Sequence, residues 1–352
     1  MTENITLEGA VCPLPLAHSE RIVMGHGSGG KMSHDLVARV FPPRLDSPGL
    51  RQGDDAAGVQ LPGGRLAIST DAHVVWPLFF PGGDIGRLAV CGTVNDVAML
   101  GARPRYLTAG FILEEGLEIA LLERVVDSMR QAAGEAGVQV VAGDTKVVQR
   151  GKADGLYITT TGVGEIPDER AIGGALACPG DVVLVSGTLG DHGIAVLAAR
   201  GELGFEIDLR SDVAPLNGLI ETLLAAAPGV HVLRDPTRGG LATTLNEIAL
   251  QSRVCITLDE GAAPLRPEVA AACEALGFDP LYVANEGKLI VILPQEQAEA
   301  ALQALRGHPY GAQAALVGRV TAAPAGRVLM RTRLGSTRIV DRLAGELLPR
   351  IC

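Results

Sequence analysis

The pattern that most constrains the fold is an apolar strand that runs directly into an aspartate, and it occurs more than once. Residues 66–70 lead into Asp71, and residues 138–142 lead through a glycine into Asp144. The spacing of apolar residues predicts an amphipathic helix over 117–137, between the two strands. In proteins that alternate strands and helices, ligands bind where the strands end. The pattern therefore predicts the α/β (α+β) class, with a ligand site near these aspartates.

Another aspartate lies inside a predicted helix. Asp84 is a suitable N-cap, and the helix that it opens is predicted to run to about residue 100, before a glycine. Asp96 sits in the apolar middle of this helix, next to Val97. A buried carboxylate costs free energy unless it is paired or binds a metal. A solvent-facing Asp96 is the alternative, and its apolar neighbours disfavour it.

Turn-forming residues divide the chain into parts. Pro167 and the Gly/Ala-rich stretch after it indicate a boundary between two domains. The last residues have weak periodicity and several glycines, which predicts a mobile tail. The predicted parts are a glycine-rich segment at 1–45, a first domain at 46–166, a second α/β domain at 167–332, and the tail at 333–352.

Composition argues against several classes of function. Apolar residues form 47% of the 352 residues, which indicates a globular protein with room for two domains. The net charge of −10 argues against nucleic acid and against a membrane surface as partners, because both favour basic patches. The start of the chain lacks the pattern of a signal peptide, and no apolar run is long enough to span a bilayer. We therefore expect a cytoplasmic protein.

The glycine-rich stretch 25–30 suggests a nucleotide-binding loop without matching a standard one. It lacks the strong preceding strand of a dinucleotide-binding motif, and Met32 stands where a Walker A loop has serine or threonine. Its backbone N–H groups suit a phosphate group. A plain glycine hinge is the alternative, and the sequence leaves both interpretations open.

Three further side chains have both a chemical and an ordinary interpretation. Lys146, two residues beyond Asp144, suits a phosphate oxygen but is also typical of an exposed turn. Glu286 precedes a predicted strand over 289–293 and is either a general base or a turn residue. Cys352 ends the chain, where we expect an exposed thiol that is either reactive or a chance terminal residue. The six cysteines include no C-x-x-C pair, so neither a zinc site nor a disulfide framework is predicted.

Acidic positions recur along the chain, and as a group they suit a divalent cation. The positions are Asp54, Asp55, Asp71, Asp96, Asp144 and Asp235. Carboxylates and nucleotide phosphates are both ligands of Mg²⁺. Arg238 and Gly239 stand at a predicted helix start, where backbone N–H groups favour an anion. The sequence indicates a magnesium–nucleotide site provided that these positions converge in the fold.

At these positions the chain resembles the hydrogenase maturation proteins HypE, a family of carbamoyl dehydratases. The matching motifs are Gly25-His26-Gly27-Ser28-Gly29-Gly30, Ser69-Thr70-Asp71, Asn95-Asp96-Val97-Ala98, Gly143-Asp144-Thr145-Lys146, Asp235-Pro236-Thr237-Arg238-Gly239-Gly240, Ala284-Asn285-Glu286-Gly287-Lys288 and Pro349-Arg350-Ile351-Cys352. They follow the family's order over nearly the whole chain, and the terminal motif is the most specific. The wider superfamily includes aminoimidazole ribonucleotide synthetase, thiamine-monophosphate kinase and selenophosphate synthetase.

The resemblance implies a two-domain aminoimidazole ribonucleotide synthetase-like fold. In such proteins the sheet of the first domain pairs with its copy in a second subunit, and ATP binds in the cleft beside that interface. The resemblance therefore implies a homodimer, an ATP-binding and dimerisation role for the domain at 46–166, and the cofactors ATP and Mg²⁺.

The resemblance also implies an activity. A carbamoyl group carried on Cys352 is dehydrated with ATP to a thiocyanate, which supplies cyanide ligands for the iron of nickel–iron hydrogenase. The implied catalytic residues are Cys352 as carrier, Glu286 as base and Lys146 on the transferring phosphoryl group. The implied nucleotide-binding residues are Gly27, Ser28, Gly29, Gly30, Asp71, Asn95, Asp144, Thr145, Asp235, Arg238 and Gly239. The implied metal ligands are Asp54, Asp55, Asp71, Asp96, Asp144 and Asp235.

The implied partners are the carbamoyltransferase HypF and the iron-carrying HypC–HypD complex. Three alternatives stay open. A selenophosphate synthetase-like enzyme would need a reactive residue near the start of the chain, and Cys12 has no neighbouring lysine there. A non-catalytic ATP-binding scaffold would use Cys352 only for docking or for iron. A small-molecule kinase would leave the terminal thiol without a purpose.

Overall fold

The structure is a computed structural model that describes residues 20–27, 31–46, 64–342 and 351–352. In chain order, the elements of the first domain are α1 (Lys31–Leu45), β1 (Arg65–His73), β2 (Phe79–Phe80), β3 (Gly83–Asp84), α2 (Ile85–Ala98), β4 (Arg103–Glu114), α3 (Ile119–Ala136), β5 (Gln139–Val148) and β6 (Leu156–Ile166). A single 3₁₀ turn, Met24–Gly27, precedes α1.

The larger strands of the first domain form one sheet in the order β1–β6–β4–β5. The β4–β5 pair is parallel and the other neighbours are antiparallel. Helix α2 packs on one face, where it contacts β1, β4 and β6, and α3 packs beside it. The opposite face carries exposed apolar side chains on the described strands, among them Leu66, Ile68 and Ile112. One face of this sheet therefore belongs to the core, and the other is open.

Helix α2 forms where its sequence predicts it. Asp84 caps its N-terminus, because its Oδ1 accepts hydrogen bonds from the N–H groups of Gly86, at 2.7 Å, and Arg87, at 3.2 Å. Helix α3 ends at Gly137, which has a left-handed backbone with φ of 69°. Both helix predictions are confirmed to within three residues at each end.

Strands β1 and β5 are longer than the sequence predicts. We expected strands that end before Asp71 and Asp144, but β1 continues through Asp71 to His73 and β5 continues through Asp144 to Val148. The reason is pairing: β6 and β4 supply a partner residue for every one of these positions. The two aspartates therefore project from strands rather than from turns.

The elements of the second domain follow after residue 166. They are β7 (Asp181–Val185), α4 (Asp191–Ala199), α5 (Asn217–Ala226), β8 (Val232–Arg234), α6 (Gly240–Ser252), β9 (Cys255–Asp259), α7 (Pro267–Leu276), β10 (Ile290–Pro294), α8 (Ala298–Arg306), β11 (Ala315–Thr321), β12 (Arg327–Arg331) and β13 (Thr337–Ile339). The strands form one sheet in the order β13–β12–β9–β11–β7–β10–β8, in which only β9 and β12 are parallel.

Alternating side chains of the central strands fill two cores. In β7, Val183 and Val185 pack on the side of α6, whereas Val182 and Leu184 pack on the side of α5 and α8. All five β7 residues are buried, as expected for a strand covered on both faces. Helices α4 and α7 instead join the core of the first domain. The two domains therefore share a continuous apolar interior.

The first residues of the predicted tail, from residue 333 to Val340, are folded. We expected a mobile tail from residue 333, but β13 pairs with β12, and Val340 is fully buried. Residues 337–340 therefore belong to the second domain, and residues 343–350 lie outside the described residues. The domain limits at 46 and 167 stay predictions. Among the described helices, none is long and apolar enough to cross a membrane.

Candidate active site

An open cleft of about 410 Å³ lies where the two domains meet. Strand β1 and the end of α2 form one wall, and β8 with the loop into α6 forms the other. The lining residues on which the argument depends are Ser69, Asp96, Arg234, Asp235 and Arg238. Asp71 projects from the same face of β1 as Ser69, because alternate residues of a strand share a face.

Three of the predicted acidic residues converge here. Asp96 accepts a hydrogen bond from the Ser69 hydroxyl at 2.8 Å. Burial raises the pKa of Asp96, and the negative charge of Asp71 raises it further. Burial likewise raises the pKa of Asp235 to about 7, with Asp96 as the next cause. The three carboxyl groups are thus close enough to repel one another.

The donor set of this cluster fits a magnesium ion. Asp71, Asp96 and Asp235 offer only oxygen atoms, the ligands that Mg²⁺ prefers. Burial is the main cause of the raised pKa of Asp235, and the charges of Asp96 and Asp71 add to it; a bound cation would relieve that repulsion. Arg234 opposes the repulsion only in part, because its guanidinium also pairs with Glu247 at 2.7 Å.

A glycine on α2 lets the acidic face of β1 pack closely. A Cβ added at Gly92 would lie 3.0 Å from Cε1 of His73 and 3.6 Å from Oδ2 of Asp71. His73 is buried, and its Nε2 lies 3.2 Å from the Thr160 hydroxyl and 3.7 Å from Asp71. Burial lowers the pKa of His73, which favours the neutral ring. His73 thus packs beside the cluster.

Glu286 is a buried carboxyl group close to the acidic cluster, because the charges of Asp235, Asp71 and Asp96 act on it. Its side chain is 4% exposed, and its Oε1 has no hydrogen-bond partner among the described residues. Burial raises the pKa of Glu286 well above its usual value, and the charges of Asp235 and Asp212 raise it further. Glu286 thus lies in a bend, but it is buried rather than exposed there, and its role as a base stays a prediction.

A buried ion pair fixes the backbone around Glu286. Asp212 accepts a hydrogen bond from the Glu286 N–H at 3.1 Å and pairs with Nζ of Lys288 at 3.0 Å. A Cβ added at Gly287 would stand only 1.8 Å from the carbonyl oxygen of Asp212. Only glycine fits there, so the motif Asn285-Glu286-Gly287-Lys288 encodes this close approach.

The end of the chain lies in the same site. The Val74 N–H donates to the Cys352 carbonyl oxygen at 3.1 Å, and Ile351 forms a β-bridge with Val75. Ile351 is buried in the core of the first domain. Burial raises the pKa of the Cys352 thiol, the charge of Glu286 raises it further, and the charge of Arg238 opposes both. Cys352 is partly buried rather than exposed, because backbone pairing and the Ile351 side chain hold the chain end against the first domain.

In a single copy of the chain, two of the predicted site residues, Asp144 and Lys146, lie far from this site. Asp144 and Lys146 are exposed on β5, at the opposite edge of the sheet from β1. Three strand spacings of about 4.8 Å separate the edges by roughly 14 Å. By strand register, both side chains also point to the open face, whereas Asp71 faces α2. Thr145 points inward, to a small pocket under α1.

The remaining predicted residues have different outcomes. Asn95 uses its side-chain amide to hold backbone groups of the second domain: its Nδ2 donates to the Ala214 carbonyl, and its Oδ1 accepts from the Leu216 N–H. This leaves its predicted contact with the nucleotide without support. Gly239 caps α6 with φ of 78°, beside the exposed Arg238.

The predicted residues of the glycine-rich stretch and the first acidic pair are not among the contacts of this site. Gly27 is the last residue of the 3₁₀ turn Met24–Gly27. Ser28, Gly29, Gly30, Asp54 and Asp55 lie outside the described residues.

Sequence reasoning missed some participants. The sequence could have identified Ser69, because it stands in the motif Ser69-Thr70-Asp71 on the same face of β1 as Asp71. Asp212 and His192 gave no signal: Asp212 lies in an irregular segment, and His192 lies in the first turn of α4, directly after a glycine-rich loop. Their contacts with residues distant in sequence reveal them: Asp212 with Glu286 and Lys288, and His192 with Ile351.

The comparison with known families matches both domains. The family model for the N-terminal domain of AIR synthase related proteins matches residues 53–166, and the model for their C-terminal domain matches residues 178–331. The chain is thus an AIR synthase related protein with both domains present.

Comparison with individual relatives identifies the family within this class of proteins. The carbamoyl dehydratase HypE of Cupriavidus necator is 57% identical over 335 residues, which cover 95% of each chain. The crystal structure of hydrogenase maturation protein HypE in complex with ATP has a TM-score of 0.90 at 55% identity, and covers 94% of this chain and 99% of that one. A HypE–HypF complex has a TM-score of 0.77 at 47% identity, with 89% and 100% covered. The chain belongs to the carbamoyl dehydratase HypE family.

Proposed function

We propose that this protein dehydrates a carbamoyl group carried on its own Cys352 to a thiocyanate, at the expense of ATP, as a source of cyanide ligands for the iron of nickel–iron hydrogenase. One observation carries the proposal. Backbone pairing holds the terminal residue next to the buried Glu286 and the acidic cluster, whose charges act on its thiol, in a chain of the HypE family.

The reaction needs a better leaving group than the amide oxygen. The carbamoyl oxygen attacks the γ-phosphorus of ATP and displaces ADP, while one N–H proton leaves the nitrogen. The C–O bond of the resulting imidate phosphate then breaks, phosphate departs, and the second N–H proton is lost as the C≡N bond forms. The balance is thiocarbamate plus ATP to thiocyanate, ADP and phosphate, so the oxygen of the lost water ends in phosphate.

Glu286 is suited to accept these protons. Its Oε1 is buried, is without a partner among the described residues, and lies in the site that holds the Cys352 sulfur. A carboxyl group with a raised pKa is a stronger base when it is ionised. Arg238 supplies positive charge at the same place, because its charge acts on Cys352 and on His73.

The cleft also suits the nucleotide. The relative of known structure with a TM-score of 0.90 binds ATP, and we infer that this chain binds ATP in the open cleft. Asp71, Asp96 and Asp235 would hold Mg²⁺. When bound, Mg²⁺ would neutralise phosphate charge during the transfer. The loop at Gly239 presents the start of α6 to the phosphates.

A second copy of the chain explains how Lys146 contributes. Within one chain, Lys146 and Asp144 stand on the open face of the first sheet, with Ile68 and Ile112. We propose that two such faces pair in a homodimer, which covers the exposed apolar side chains. Lys146 then steadies a phosphoryl group in the cleft beside the interface, as the family resemblance implies.

Two partners follow from the chemistry of the tail. Cys352 must first receive its carbamoyl group, and we propose HypF as the donor enzyme, because a HypE relative forms a complex with HypF. The thiocyanate must then give its cyano group to iron, and we propose the HypC–HypD complex as acceptor. The tail therefore leaves the cleft at least twice in each cycle.

The mass of the C-terminal peptide tests this function. The protein is incubated with HypF, carbamoyl phosphate and ATP–Mg²⁺, then digested. We expect a carbamoyl adduct on Cys352 that loses one water only with hydrolysable ATP. A Cys352→Ala variant should bind ATP normally and form no adduct. An unmodified Cys352 in an otherwise active mixture would overturn the proposal.

A further inference from the structure

A buried histidine holds the backbone of the C-terminal tail. His192, at the start of α4, is fully buried, and its Nε2 lies 2.5 Å from the carbonyl oxygen of Ile351. Its other ring nitrogen, Nδ1, lies 2.8 Å from the hydroxyl oxygen of Ser211. The ring thus connects the second domain to the residue that immediately precedes Cys352.

The direction of these hydrogen bonds follows from the neighbouring groups. The Val213 N–H donates to Oγ of Ser211 at 3.1 Å, so the Ser211 hydroxyl is free to donate its own proton onward. Burial lowers the pKa of His192, which favours a neutral ring with a single N–H. A carbonyl oxygen can only accept, so the ring proton lies on Nε2 and Nδ1 accepts from Ser211. The chain of donors runs from Val213 through Ser211 and His192 to Ile351.

Contacts from the first domain keep this chain of donors rigid. The Ser211 N–H donates to the Pro81 carbonyl at 2.8 Å, and a Cβ added at Gly82 would stand 2.6 Å from the Ser211 carbonyl oxygen. Phe80 packs its ring edgewise against His192, with ring centroids 5.5 Å apart. The imidazole is therefore oriented before the tail arrives.

We propose that His192 is a positioning residue for the dehydration step: its Nε2–H bond to Ile351 holds the tail so that the Cys352 sulfur stands beside Glu286. This role rests on the proposed function. The hydrogen bond acts on backbone, so it holds the tail whether or not the thiol carries a carbamoyl group. It serves the step inside the cleft and not the loading of the tail by a separate enzyme.

Alkylation of Cys352 tests the docking without any enzymatic activity. The free protein is treated with iodoacetamide at fixed pH, and the rate at Cys352 is read from its C-terminal peptide by mass spectrometry. His192→Leu removes the donor, whereas His192→Gln keeps an N–H₂ group that can reach a carbonyl oxygen. His308→Gln is the matched control, because His308 caps the short helix Pro309–Gly311 and, within the described residues, has no contact with the terminal pair.

We expect faster alkylation when the bond is lost. The loss of one hydrogen bond of ordinary strength shifts the docking equilibrium of the tail about threefold to tenfold. Cys352 in the His192→Leu variant should therefore be alkylated faster by that factor. Ser211→Ala, which frees the ring to change tautomer, should show a smaller increase. His192→Gln and His308→Gln should match the wild type. An unchanged rate in His192→Leu, with normal thermal unfolding, would overturn the proposal, as would an equal increase in His308→Gln.

A single-turnover assay separates positioning from a general structural role. The variants are first carbamoylated by HypF, and water loss from the terminal peptide is then followed after ATP addition. His192→Leu should be carbamoylated at least as fast as the wild type, and should dehydrate about threefold to tenfold more slowly at an unchanged half-saturating ATP concentration. His192→Gln should recover the rate. Weakened ATP binding or slow carbamoylation in His192→Leu would contradict positioning. If neither the wild type nor any variant loses water from the terminal peptide, the proposed function is wrong. The alkylation experiment still tests, independently, whether His192 holds the tail.

Discussion

Glu286 shows at the scale of one residue how a fold can hold a reactive carboxyl group. Desolvation and the neighbouring carboxyl groups both disfavour its charged form. The protein keeps it in place through the backbone instead, with the Glu286 N–H bound to Asp212 and Asp212 neutralised by Lys288. Its reactive oxygen atoms stay available because the supporting contacts are made elsewhere.

Replacement of Glu286 by glutamine should stop chemistry without loss of folding. The amide keeps the shape but accepts no proton, so we expect the single-turnover rate of water loss to fall about 100-fold or more. ATP binding and carbamoylation of Cys352 should persist, as checked by equilibrium dialysis and peptide mass. Glu299→Gln, an exposed carboxylate on α8, is the matched control and should match the wild type. A Glu286→Gln protein with wild-type turnover would exclude this glutamate as the base.

The residue after Glu286 should be intolerant of even one methyl group. A Cβ at Gly287 meets the Asp212 carbonyl at 1.8 Å, so we expect Gly287→Ala to lower the free energy of unfolding by about 1–3 kcal/mol. Gly134, inside α3, has open space around its Cβ position and serves as control. Gly134→Ala should stabilise by roughly 0.5–1 kcal/mol, because alanine favours the helix. Urea unfolding measures both, and a neutral Gly287→Ala would mean that the loop can move aside.

At the scale of elements, α2 depends on Asp84, the N-cap residue that directly precedes it. Asp84 accepts from Gly86 and Arg87 through Oδ1, and its Oδ2 accepts from the Ser128 hydroxyl at 2.5 Å. Asp84→Ala leaves these donors unpaired and should cost about 1–2 kcal/mol in the free energy of unfolding. Asp84→Asn keeps the capping oxygen and should lie close to the wild type. Thermal and urea unfolding provide the measurement, and equal losses in both variants would show that charge, not capping, matters.

Elements were more predictable from sequence than the contacts between them. Asp84 and Gly137 mark helix ends by local chemistry, so α2 and α3 could be located from sequence alone. The lengths of β1 and β5 depend on partner strands that are distant in sequence, so the sequence predicts that these strands end before Asp71 and Asp144. The convergence of Asp71, Asp96 and Asp235 was suggested by motif chemistry. The roles of Asp212 and His192 come from long-range packing, for which the sequence has no local signal.

At the scale of the whole molecule, the open face of the first sheet predicts self-association. Ile68 is 66% exposed on β1, which is unusual for a large apolar side chain on a sheet. Ile68→Asp places a charge in the proposed interface and should shift the protein from dimer to monomer in sedimentation velocity. Leu334→Asp is the matched control, because Leu334 is 96% exposed in the β12–β13 turn and should leave the dimer intact. A wild-type protein that sediments as a monomer at micromolar concentration would refute the pairing.

The seating of Ile351 against Val75 and His192 has a consequence for how the site is filled. Because the occupant is tethered, its effective concentration is set by the length of the chain and not by the amount of protein, and short tethers reach the millimolar range. Dilution therefore leaves the fraction of filled sites unchanged. A free peptide ending in the same residues would compete only near millimolar concentration, so each molecule in effect processes only the cargo on its own chain.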